Sequence, residues 1–131
     1  MTNIEINNLT KDRIDKGFLQ KVAKGVFKSI KLREIKEISV AIVGDAKIKN
    51  LNKKYRRKNS VTDVLAFDYG EIFICLPQAK RQAKKLSHSL KNELATLLIH
   101  GILHLAGYED KATKDRERMT KMQENIWRKI I

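Results

Sequence analysis

The sequence predicts an α+β fold: a single domain over residues 1–131, with a small mixed β-sheet of about four strands packed by about five helices. Three observations predict it. The chain has 131 residues, 42 % of them hydrophobic, which suits one core that buries roughly 65–70 % of the unfolded surface and excludes an intrinsically disordered chain. Helical and strand patterns alternate, yet two strand runs are joined by a tight turn, so parallel and antiparallel pairs must mix. No Pro/Gly/Ser-rich linker, internal repeat or low-complexity tract divides the chain.

Taken in order, residues 3–6 (NIEI) read as a short first strand. Phe18, Val22, Val26 and Ile30 recur every four residues, the stripe of an amphipathic helix. Residues 38–44 (ISVAIVG) are a β-branched run stopped by a glycine, hence a strand. Asp45 is expected to cap the next helix, with Ile48, Leu51 and Tyr55 on its buried face. Residues 64–67 (VLAF) and 71–76 (EIFICL), linked by Asp68-Tyr69-Gly70, read as two strands and a turn. Pro77, the only proline, suits the first turn of a helix beginning near Gln78. A longer helical run covers about 90–106, and a last helix starts near Thr113. Met119, Met122, Ile126 and Ile130 share one face of that helix, where the methionines read as core filling, and Trp127 also reads as core.

Charge narrows the class of partner. The chain holds 28 Lys+Arg against 15 Asp+Glu, a net charge of +13. Such a balance favours acidic partners, nucleic acid first and an anionic membrane second. Its distribution is uneven. Residues 47–59 carry seven basic side chains and no acid, among them Lys53, Lys54, Arg56, Arg57 and Lys58. Residues 78–91 carry five, including Lys84 and Lys85, again with no acid. Together they account for 12 of the 13 net charges. A patch built from two segments can make several phosphate contacts, with a steep salt dependence. Membrane-surface binding ranks last, because the basic segments lack interleaved aromatics beyond Tyr55. No apolar run reaches the ~20 residues of a membrane span, and no signal-peptide pattern opens the sequence. The single cysteine, Cys75, allows no internal disulfide, which fits a reducing cytoplasm.

The chemistry concentrates in residues 99–110 (IHGILHLAGYED). His100 and His104 are four apart, so both imidazoles leave one face of a helix, the spacing used when one helix supplies two metal ligands. With Leu94 as zero on a helical wheel, they fall near about 240° and 280°, beside a core stripe of Leu98, Gly101 and Leu105. Ile99, Ile102 and Leu103 cover much of the remainder, so the histidines are expected to face a cleft at a central helix rather than open solvent. Gly107 offers a helix stop, after which Glu109 or Asp110 can bring a carboxylate to the same metal. Glu93 lies near about 260°, in line with the histidines, as a residue that orients a ligand or as a helix-surface carboxylate. His88, in a polar stretch, reads as exposed or capping. Gly101 follows His100, so the general base of an HExxH zinc protease is missing.

These residues resemble a known family. HGILHLAGYED (100–110) is similar to the HGxLHLxGYDH signature of the YbeY endoribonucleases, bacterial ribosomal-RNA maturation factors. LNKKYRRKNSVTDVLAF (51–67) resembles the same family's N-x-x-Y-R and TDVLSF block through Asn52, Tyr55, Arg56, Thr62, Asp63, Val64, Leu65 and Phe67. GEIFIC (70–75) is similar to its GDIxIC strand, and Glu93-Leu94 to the E-L before the signature. The blocks keep the family order and span nearly half the chain.

The resemblance implies a metal-dependent, single-strand-specific endoribonuclease acting on small-subunit ribosomal RNA, in 3′-end maturation and ribosome quality control. It implies one divalent metal, normally Zn2+, held by three histidines, with His100 and His104 matching the first two. It also implies that Arg56 stands beside the metal cleft and grips the RNA phosphate; the charge distribution, independently, makes Lys53, Lys54, Arg57, Lys58, Lys84 and Lys85 the candidates to extend the RNA contact. Two departures matter. The third histidine of the signature is Asp110 here, and a His2Asp set also suits Fe2+ or Mn2+. The link between the paired strands is a short Asp68-Tyr69-Gly70 turn where the family often has a longer loop. A non-catalytic ribosomal-RNA-binding assembly factor with a degenerate metal site is the competing reading. A hydrolase for another substrate, such as a peptide, is disfavoured by Gly101 and by the concentrated basic charge.

Overall fold

The computed structural model describes residues 2–32 and 35–130. Strands β1 (Asn3–Asn8), β2 (Glu37–Val43), β3 (Val64–Phe67) and β4 (Glu71–Cys75) form one sheet in the order β1-β2-β4-β3. β1 runs parallel to β2 and β2 to β4, while β3 is antiparallel to β4. Five helices accompany them among the described residues: α1 (Lys16–Ser29), α2 (Asp45–Arg56), α3 (Leu76–Leu86), α4 (Leu90–Leu105) and α5 (Thr113–Ile130). The mixed sheet and helix count are those the sequence predicts.

Successive strand residues point to opposite faces of the sheet. Ile72 and Ile74 of β4 therefore join Ile6, Ile38, Val40, Ile42 and Val64 in the main core, closed by α1, α4 and α5. Phe73 and Cys75, one residue out of phase, join Val43, Leu65 and the α2 residue Ile48 in a smaller core on the other face. The middle strands are covered on both faces, which is why they read as continuous apolar runs.

α4 is the central helix. It packs on α1, α3, α5, β3 and β4 and is apolar on most sides, with Leu94, Leu97, Leu98, Ile99, Ile102 and Leu103 buried. Gly101 sets how closely it lies on the sheet. A Cβ there would stand 3.0 Å from Ile72 Cγ2 and 3.4 Å from Val64 Cγ2. The residue after His100 is thus small because it faces the sheet, a packing reason for the missing glutamate.

Several local expectations are corrected. Gly44, in an extended conformation, is the N-cap of α2, and Asp45 is its first helical residue. The Asp45 carboxylate accepts hydrogen bonds from Arg81 at 2.7 and 3.2 Å and from the Cys75 thiol at 3.3 Å. The Arg81 bonds hold the Asp45 carboxyl below the usual carboxylate range. Burial, aided by Asp45, pushes the Cys75 thiol up to about 11, so this lone cysteine is a core residue and no nucleophile. Tyr55, expected on the buried face of α2, is 53 % exposed. The helix turns Ile48 and then Asn52 inward, and the smaller core ends at Phe67, against which the Tyr55 ring rests edge-on at 5.2 Å. α3 starts at Leu76, which places Pro77 in its first turn, and Ile30 lies just beyond α1 as its cap residue. Trp127 is half-buried against the main core.

Candidate metal centre

The centre is built by the end of α4 and the turn after it. Ala106 caps the helix, and Gly107 takes φ +95°, a backbone region that residues with a Cβ rarely enter. The Gly107 N–H donates to the His104 carbonyl and the Tyr108 N–H to the Leu103 carbonyl, each at 3.0 Å. These bonds fold the chain back over the last turn of α4 and bring Asp110 opposite the two histidines.

His100 Nε2 and His104 Nε2 stand 2.9 Å apart, with the rings nearly perpendicular at 80°. Asp110 Oδ2 lies 3.8 Å from the first nitrogen and 3.9 Å from the second. All three donor atoms fall within 4.8 Å of one another, and they are the one such group of three metal-ligating side chains among the described residues. An ion with donors at 2.0–2.1 Å in tetrahedral array sets them about 3.3 Å apart. The observed separations bracket that value, and two imidazoles with a carboxylate are a sound donor set, so these residues fit a divalent metal. Glu109, the other carboxylate considered, lines the adjoining cleft instead.

Electrostatics keep the donors ready. Burial lowers the pKa of His100 below the ordinary imidazole value, and the neighbouring His104 lowers it further. Asp63, Asp110 and Gln123 oppose that shift. Near neutral pH His100 is therefore neutral, the form that ligates a metal.

Glu93 is neither a surface residue nor a partner of the ligands. It is 3 % exposed, receives a hydrogen bond from Gln82 Nε2 at 2.6 Å, and pairs with His88 Nε2 at 2.7 Å. Gln82 also reaches the Asp63 carboxylate at 3.3 Å. His88 is itself exposed, as expected, and its ring closes this polar chain over the buried Glu93. Nothing in the sequence pattern pointed to Gln82, because its partners lie on α4 and before β3.

The basic residues fall into two groups. Lys80 pairs with Asp12, Arg81 with Asp45 and Lys91 with Asp15, so much of the second basic segment is neutralised locally. Lys53, Lys54, Arg56, Arg57, Lys58, Lys84 and Lys85 are exposed, and among the described residues none of them is held in an ion pair. Arg56 closes α2, and Arg57 takes the left-handed conformation at φ 58°. The Lys58 N–H then bonds the Asn52 carbonyl at 3.3 Å, a Schellman ending. The buried Asn52 side chain donates to the Ser60 carbonyl at 3.0 Å and ties the basic loop back onto the helix. No hydrogen bond or ion pair among the described residues joins Arg56 to the histidines. Continuity runs through aromatic rings: Tyr55 beside Arg56 meets Phe67, and Phe67 stacks with Tyr69. Tyr69 and His104 in turn line one open cleft of about 950 Å³.

Comparison with known proteins agrees with this geometry. The family described as "Endoribonuclease YbeY" matches residues 3–131. The Endoribonuclease YbeY of Phytoplasma australiense is 40 % identical over 97 % of this chain and 94 % of its own length. That of Aquifex aeolicus is 37 % identical over 89 % of this chain and 84 % of its own. The solution structure of TM1509 from Thermotoga maritima superimposes with a TM-score of 0.66 at 29 % identity, covering 98 % of this chain and 91 % of that one. Sequence, fold and the arrangement at the end of α4 converge, and the chain belongs to the YbeY endoribonuclease family.

Proposed function

We propose that the chain is a metal-dependent endoribonuclease that cuts single-stranded RNA, acting in the cytoplasm on ribosomal RNA of the small subunit, in 3′-end maturation and ribosome quality control. The observation that carries this reading is the His100, His104 and Asp110 donor group, whose His104 lines an open cleft, in a chain of this family. Zn2+ is the proposed metal, with Fe2+ or Mn2+ also suited to a two-histidine, one-carboxylate set. When bound, it supplies a Lewis acid that polarises a phosphoryl oxygen. His100 and His104 would hold it through their Nε2 atoms, the His100 imidazole kept below its ordinary pKa by burial, and Asp110 adds the anionic donor. Arg56 offers a planar, permanently charged fork for a phosphate. Lys53, Lys54, Arg57, Lys58, Lys84 and Lys85 hold flanking phosphates without reading sequence.

Metal analysis of the purified chain beside an RNase assay tests the reading. About one transition metal per chain and cutting of single strands are expected. A metal-free protein that binds ribosomal RNA tightly and leaves it intact would point to a non-catalytic assembly factor. Two variants separate the roles. Arg56→Ala should slow cleavage by about a hundredfold and leave the metal content unchanged; lost metal would remove the phosphate-binding assignment. Asp110→His should tighten zinc by roughly tenfold by completing a three-histidine set; an unchanged affinity would count against Asp110 as the third ligand.

A further inference from the structure

We infer that Tyr69, stacked on Phe67, is a base-stacking subsite for a nucleotide next to the scissile phosphate of single-stranded RNA. The inference rests on the proposed function and adds to it how the strand is held.

Tyr69 is 69 % exposed, although it lies in a turn only three residues long. Phe67 covers one ring face in a near-parallel stack, 15° between planes and 5.8 Å between centroids. Phe67 is itself wedged by the edges of Tyr55 and Phe73, so the stack is rooted in the smaller core. The mount is rigid as well. The Gly70 N–H closes the turn onto the Phe67 carbonyl at 2.9 Å, and the Gly70 carbonyl accepts from the Ser39 N–H of β2 at 2.9 Å. Gly70 takes φ +103°, and a Cβ there would stand 2.6 Å from the Glu37 carbonyl oxygen. Only glycine allows this close seat against β2, which fixes where the Tyr69 ring points.

What surrounds the ring identifies its occupant. Tyr69 lines the same cleft as His104, one of the candidate ligand group; Lys31 and Lys36 line it beside the acids Glu37, Asp68 and Glu109, so the phosphate-binding charge comes from the Tyr55 side of the ring. On the other side of Phe67 comes Tyr55, with Lys54 Nζ over its ring at 5.2 Å, followed by Arg56. An exposed aromatic face between that histidine and Lys54 and Arg56, neither held in an ion pair among the described residues, matches a strand that alternates flat bases with phosphates. A duplex keeps its bases stacked on one another and offers none to this ring, so the subsite favours single strands.

The test is binding of an uncleavable 2′-O-methyl single-stranded oligonucleotide by fluorescence anisotropy, with cleavage of the matching RNA followed in parallel. Tyr69→Ala should weaken single-strand binding by roughly 5- to 100-fold, the span of base–aromatic stacking. Affinity for the duplex of the same sequence and the melting temperature should stay unchanged. Tyr69→Phe should restore most of the loss, because the stacking face returns. A Tyr69→Ala chain that binds the single strand like wild type overturns the subsite even if RNA is cut. Wild type that fails to bind the single strand overturns it too. Tyr69-dependent binding with no cleavage overturns the proposed activity and leaves the subsite standing.

Discussion

His104→Ala is expected to strip the divalent metal from the purified chain and to lower cleavage of single-stranded RNA by about a thousandfold or more. A Lewis acid at a phosphoryl group is worth several kcal/mol of transition-state stabilisation, and roughly 4 kcal/mol corresponds to three decades of rate. His104 supplies one of three donors and stands 2.9 Å from another, so its loss leaves two donors that hold a metal weakly. The fold should survive. The side chain lines a cleft and is 29 % exposed, so its truncation should cost no more than about 1 kcal/mol. Metal content by mass spectrometry, thermal melting and an RNase assay check the three parts separately. A His104→Ala protein that keeps stoichiometric metal and cuts within tenfold of wild type would show that the donors lie elsewhere.

The second large effect concerns stability. Gly101→Glu, which writes the protease-like HExxH pattern into α4, should destabilise the fold by more than about 4 kcal/mol and yield little soluble protein. The new side chain leaves the helix about 100° from His100 and points at Ile72 and Val64 on the sheet. A carboxylate there is buried without a partner. Gly101→Ala is the graded control. Its Cβ meets Ile72 at 3.0 Å, so α4 or Ile72 must shift slightly, at a cost of about 1–2 kcal/mol. Thermal denaturation ranks the three proteins. A Gly101→Glu chain that melts with wild type would mean that α4 does not seat on the sheet as described.

Much of this was legible from spacing alone. The four-residue recurrence of Val22 and Val26 marks a helix face that is buried in the folded chain. The His100–His104 interval and the stop at Gly107 already placed two imidazoles on one face and a return of the chain beside them. Glu93 shows where such reasoning ends. Its wheel angle matches the histidines, but it sits two turns earlier, where α3 rather than a cleft lies over the helix, so it meets Gln82 and His88. Tyr55 and Asp45 failed for a related reason. Periodicity and capping preference describe one helix in isolation, whereas exposure and hydrogen-bond partners depend on where the neighbouring sheet ends and which side chain crosses to meet it.

The elements, their order, the paired imidazoles and the basic character of the chain follow from the residue pattern alone, because local backbone geometry and side-chain period set these within a few residues. Tertiary packing sets which carboxylate meets the histidines and which cations hold no ion pair among the described residues. It also decides that Tyr69 looks into the cleft of His104. Those relations join residues far apart in the chain, and close packing of α4 on the sheet sets their distances.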